Sequence, residues 1–173
     1  MDKQAVHDDM ERARVSFHRL LNAATDADLR KPSNGTRWNN RQLLFHMLLG
    51  YLIIRALVTL AKVFDRRPSG AGRGFARALN AATTPFDLVN YAGSYLGGTA
   101  LTRKQMASRF DRVIAALHRR LDAETEADLV RGMHYPTRWD PFFQEFMTLA
   151  NIYRFPTQHF DFHMRQLTLD DAS

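Results

Sequence analysis

The segment FHRLLNAATDADL at 17–29 returns as LHRRLDAETEADL at 117–129, and GTRW ending at Trp38 returns as PTRW ending at Trp139. The offset is 100 residues for the first pair and 101 for the second, and His, Arg, Leu, Ala, Thr, Asp and Trp coincide in register over more than twenty positions. A duplicated helix–loop–helix unit cannot bury its apolar face alone, so the two copies must pack on each other. The expected fold is therefore all-α, a pseudo-symmetric four-helix bundle. With 45% hydrophobic residues in 173, the chain can bury one full core without room for two, which predicts a single domain over 1–173.

Punctuation residues place the helices. A first helix is expected over 2–24, followed by the Pro-, Asn- and Gly-rich loop LRKPSNGTRW and a second helix over 40–64. The insert at 66–98 lies outside the repeat. Its first part, RRPSGAGRGFARALNAATT, reads as a long, flexible, basic crossing connection, and Pro85 opens an extra short helix, PFDLVNYAGSYLGG. Thr102 and Gln105 make a capping box for the third bundle helix. Asp140 followed by Pro141 reads as the N-cap and first turn of the fourth, in which Pro156 predicts a kink one turn before His159. Strand signals are absent.

The histidines carry the chemistry. His159 and His163, four apart, share one helix face with Gln166, within about 60° on a helical wheel, whereas Asp161 points away. His46 belongs to a core-facing stripe with Gln42, Gly50, Ile53 and Leu57, where an unpartnered imidazole costs about 1–3 kcal/mol and Gly50 leaves room above the ring. Three imidazoles from two helices suit a divalent metal with one coordination position open. The duplicate positions hold Met147, Val58 and Lys62, so only one such site is expected. Three neutral imidazoles accept zinc, nickel, cobalt or ferrous iron.

Other function classes are narrowed by what the chain lacks. There is no cysteine, which excludes disulfides, thiolate ligands and a cysteine nucleophile. The net charge of +6, mostly arginine, is dispersed with no aromatic–basic ladder, so no nucleic-acid partner is expected. The apolar stretch at 43–64 is interrupted by Arg55 and Lys62 and reads as a buried helix, not a membrane span. The N-terminus carries no secretion signal, and a cytoplasmic location is the default expectation. GAGRG lacks the Lys and Ser/Thr of a phosphate loop. The leucine-rich second helix is compatible with a homodimer.

Together these residues resemble the DinB-like superfamily of four-helix metalloproteins, which includes mycothiol- and bacillithiol-dependent enzymes. Trp38 precedes His46 by eight residues, and His159, His163, Gln166 and Leu167 match that family's HxxxHxxQL pattern. The resemblance spans nearly the whole chain. It implies helix pairs joined by a long crossing connection, and a metal held by His46, His159 and His163 with water or substrate completing the shell. The iron-dependent sulfoxide synthases that share the domain are similar to HxxxHxE, and Arg165 stands where that Glu should be. What the resemblance favours is a transferase or isomerase acting on a small-molecule substrate with a low-molecular-weight thiol such as mycothiol or bacillithiol. A metal-dependent hydrolase comes second, with Glu145 and Asp87 as its conceivable bases, and a non-catalytic metal-binding or stress-response protein third. Sequence alone assigns no catalytic residue. Trp38, Tyr51 and Trp139 are candidates to line the pocket, Gln166 to support it, and Arg66, Arg67 and Arg73 to contact an acidic substrate.

Overall fold

The computed structural model describes residues 1–65 and 69–169. The duplication is visible in its capping chemistry. Helix α1 (Lys3–Ala23) leads into the short α2 (Asp26–Arg30), and α6 (Arg103–Asp122) leads into α7 (Glu126–Leu129). Thr25 and Asp28 cap α2 reciprocally, as Thr125 and Asp128 cap α7. Helices α1 and α6 run antiparallel: Lys3 reaches the Asp122 carbonyl (3.2 Å), and Arg103 reaches that of Leu21 (3.3 Å). Across their centre Phe17 stacks on Phe110 at 4.3 Å. On either side sit two related pairs, His18 with Asp111 (2.7 Å) and His118 with Glu11 (3.7 Å), each residue being the repeat-mate of one in the other pair.

Helix α3 (Asn40–Asp65) is the central rod, packed by α5 (Thr83–Ala100), α6 and α8 (Leu149–Met164). It is long and apolar enough to cross a membrane by length and composition, yet half of that apolar window is buried inside this fold. The largest group of exposed apolar side chains lies on α5, where Leu88, Val89, Tyr95 and Leu96 are exposed. Tyr51 is fully buried among Phe110 and Phe160, and its hydroxyl shares a 2.8 Å hydrogen bond with Thr157. It is a core residue and not the pocket residue its position suggested.

Three sequence expectations are corrected. Part of the connection expected to be flexible is a helix, α4 (Ser69–Ala81), whose Ala, Arg and Leu residues favour helix once Phe75 stacks on Phe64 (4.8 Å) and Ala76 is buried. Packing thus overrides the glycines of its first turns. The extra helix α5 begins before Pro85, which sits in its first turn as anticipated, and it is longer than a short accessory element. The fourth bundle helix does not start at Asp140. The Asp140 side chain caps a single turn by accepting from Phe142 N–H (2.8 Å), and the chain then extends into β2 (Phe146–Thr148). This strand pairs antiparallel with β1 (Gly132–His134), with Met133 opposite Met147. Only then does Thr148, in a capping box with Asn151, open α8. Pro156 lies inside α8 as expected.

A Cβ on Gly98 would stand 2.7 Å from the Gln42 Cα, a backbone atom that no side-chain rotation can move. Gly98→Ala would gain roughly 1 kcal/mol of helix propensity. The overpacking costs about 1–3 kcal/mol, so the expected net result is a lower urea midpoint. An unchanged midpoint would mean that α5 shifts off α3 without cost. Tyr51→Phe should destabilise the fold by about 1 kcal/mol through the unpaired Thr157 hydroxyl. It should leave metal stoichiometry, measured by elemental analysis, where it is in the parent.

Candidate metal centre and its cavity

Helices α3 and α8 bring the three histidines together. Their rings are 4.4–4.9 Å apart centre to centre, and one ligand nitrogen from each lies within 4.8 Å of the others. All three are buried. The outer nitrogens of two are held: His46 Nδ1 lies 3.1 Å from Ser94 Oγ on α5, and His163 Nδ1–H donates to Gln166 Oε1 at 2.6 Å. Each contact engages Nδ1 and turns Nε2 towards the cluster, and Asn90 on α5 also interacts with the His46 ring. His159 Nε2 stands 3.2 Å from His163 Nε2, while His159 Nδ1 is buried without a hydrogen-bond partner. Packing alone fixes that third ring. A Cβ on Gly50 would stand only 2.9 Å from His159 Nδ1, so the glycine makes room for this histidine and not for His46. Trp38 stacks on His46 at 4.4 Å.

Electrostatics prepares the same outcome. Burial, reinforced by the neighbouring His163, pushes the His46 imidazole down to about 3. Burial followed by His46 and His163 holds His159 well below its ordinary value, and burial lowers His163 against the Gln166 bond. The rings are therefore neutral near pH 7, with lone pairs available. Two nitrogens bound about 2.1 Å from one tetrahedral ion lie about 3.4 Å apart, and the observed 3.2 Å is close to that value. The donor set fits a borderline divalent cation.

Asp140 is the residue that sequence reasoning missed. Its Oδ2 lies 3.7 Å from His159 Nε2, and burial pushes the carboxyl up to about 6 although the Phe142 N–H bond opposes the shift. The repeat held the signal: Asp140 follows the second TRW as Asn39 follows the first, so both loops converge on one centre. Asp161 points away, as expected, into a two-pronged bond with Arg12 at 2.9 Å per contact.

The cluster opens onto a cavity of about 410 Å³. Trp38 and Trp139 both line it, the latter stacked on Phe86 at 3.8 Å with its indole N–H donated to the Leu79 carbonyl (2.9 Å). Among the described residues no arginine or lysine lines the wall, which corrects the expected contact from Arg73, an exposed residue of α4. Arg66 and Arg67 lie outside the described residues. Asp87 and Glu145 are exposed and away from the wall, so neither is the base that a hydrolase would need. Gln166 supports His163, whereas Tyr51 takes no part.

Among curated proteins and among solved structures, none matches this chain. The sequence model of the DinB superfamily matches residues 9–167, a stretch that holds the repeat, the insert, all three histidines and Asp140. The chain belongs to the DinB superfamily.

Proposed function

We propose that this chain is a divalent-metal-dependent enzyme in which His46, His159 and His163 hold the ion and a low-molecular-weight thiol is the nucleophile. The observation that carries the reading is the convergence of three neutral imidazole nitrogens beside a partly buried carboxyl at the end of a cavity. When bound, a divalent cation there supplies the Lewis acidity that lowers the pKa of a thiol or water in its open position. The chain's own residues supply the rest. Ser94 and Gln166 orient His46 and His163, Trp38 shields the His46 face from water, and the Asp140 carboxylate accepts the thiol proton. The sulfur forms its bond to the electrophilic carbon, the leaving group departs with the electron pair, and Asp140 gives up its proton to that group or to solvent. Because the protein has no cysteine, the thiol comes from outside. Mycothiol and bacillithiol are the cosubstrates that the family resemblance suggests.

A second reading, hydrolysis with water as the nucleophile, is favoured by the same Asp140, which provides the general base that the sequence had not revealed. Non-catalytic metal binding is the outcome left if neither activity is found.

Natively purified protein should carry one equivalent of zinc, nickel, cobalt or iron. His46→Ala should lose it while keeping its helical circular dichroism, because apolar burial and not the ion holds the bundle. A full equivalent in the variant would sink the triad.

Metal-loaded protein should couple small thiols to a chromogenic electrophile such as 1-chloro-2,4-dinitrobenzene, with His163→Ala as control. Asp140→Asn should keep the metal and lose about 10²–10⁴ in rate. Equal rates in parent and His163→Ala for every thiol, together with thiol-independent cleavage of 4-nitrophenyl esters by the parent alone, would replace the transferase with the hydrolase.

A further inference from the structure

The shape and lining of the cavity specify a substrate class more closely than the metal centre does. Along α3 its wall is made by His46, Leu49, Ile53, Leu57 and Leu60, residues three or four apart on one face. From His46 to Leu60 that face runs about 21 Å at 1.5 Å per residue. A spherical cavity of the same 410 Å³, with its wall atoms about 3 Å further out on each side, would span only about 15 Å. The space is therefore elongated, with the histidines and Asp140 at one end and Leu60 and Phe75 towards the other.

The polar groups are equally uneven. The three histidines and Asp140, the metal-binding and acidic side chains of the wall, cluster at one end. Apart from Asn90 beside His46 and the Tyr135 hydroxyl, the rest of the lining is aliphatic and aromatic, with no lysine or arginine among the described residues. A phosphate or carboxylate placed along the body of the cavity would lose its water and find no counter-charge. Hydrocarbon there loses nothing and gains by leaving water.

We infer that the substrate of this site is a linear, uncharged apolar molecule, an alkyl or aryl-alkyl chain, with its one reactive polar head at the histidine end and its tail along α3 towards Leu60. The inference rests on the proposed function only in taking the histidine end as the reacting end.

Its test needs no turnover. The two tryptophans of the chain, Trp38 and Trp139, both line the cavity, so intrinsic fluorescence reports its occupancy. The protein as purified and the same protein after EDTA treatment are titrated with n-alkanols from butanol to decanol. In both, affinity should rise about fourfold per added methylene until the tunnel is filled. Leu60→Glu, which puts a carboxylate at the tail end, should weaken decanol binding at least tenfold and leave butanol unchanged. Should circular dichroism show that variant unfolded, Leu60→Phe, which shortens the tunnel, should end the rise with chain length at a shorter alkanol. Affinities that do not vary with chain length, or decanol binding unchanged in a folded Leu60 variant, would overturn the inference. Chain-length dependence in a protein that binds no metal would sink the metalloenzyme reading and leave the ligand class standing. The reverse pattern would remove the ligand class alone.

Discussion

Everything around the histidines hangs on how closely α5 and α8 approach α3. Gly98 lets the α5 backbone rest on Gln42, and that contact sets Ser94 within hydrogen-bonding reach of His46 four residues further along α3. Gly50 does the same for α8, receiving the His159 ring where any side chain would expel it. Small residues at two crossings thus convert ordinary helix packing into a shared centre for three imidazoles. The arrangement is not self-satisfied. His159 Nδ1 has no hydrogen-bond partner, and burial, reinforced by the neighbouring His46 and His163, holds the His159 ring neutral. In a core built for packing alone, apolar side chains at these positions would cost less.

The duplication supplies the contrast. The repeat-mate of His163 is Lys62, whose ammonium lies 2.6 Å from the buried Glu124 carboxylate, and the Tyr153 hydroxyl donates to the same carboxylate at 3.1 Å. One pole of the pseudo-symmetric bundle therefore closes on a satisfied ion pair, and the other on lone pairs. The two copies of one repeated frame thus end differently, one in an ion pair and the other in clustered imidazoles, through a few inward-facing residues.

What was legible in the sequence follows from how local each signal is. The starts of α1, α3 and α6 were readable because a cap or loop punctuates each, and the histidine set because spacing four on a helix is a direct geometric statement. Tyr51 could also have been placed correctly, since five residues from His46 is about 140° around the helix and faces the opposite core. Helix α4 was hidden by its glycines, because its stability comes from contacts such as Phe75 on Phe64 that no local pattern announces. The strands β1 and β2 were hidden by Asp140 and Pro141, which imitate a helix start and deliver one turn. Asp140 escaped as a site residue for the same reason.

The three clustered histidines sit on α3 and α8, elements of the duplicated frame, whereas α4 and α5 belong to the insert and supply much of the far wall through residues such as Phe75, Leu79 and Phe86. The second TRW loop is fastened to that insert by the Trp139 and Arg138 contacts with Leu79 and Asn80. In the proposed enzyme the imidazoles come from the duplicated frame, while the insert adds Ser94 behind His46 and part of the cavity wall. In that reading, substitutions in the insert can alter which molecule is admitted while the three histidines keep their places on α3 and α8.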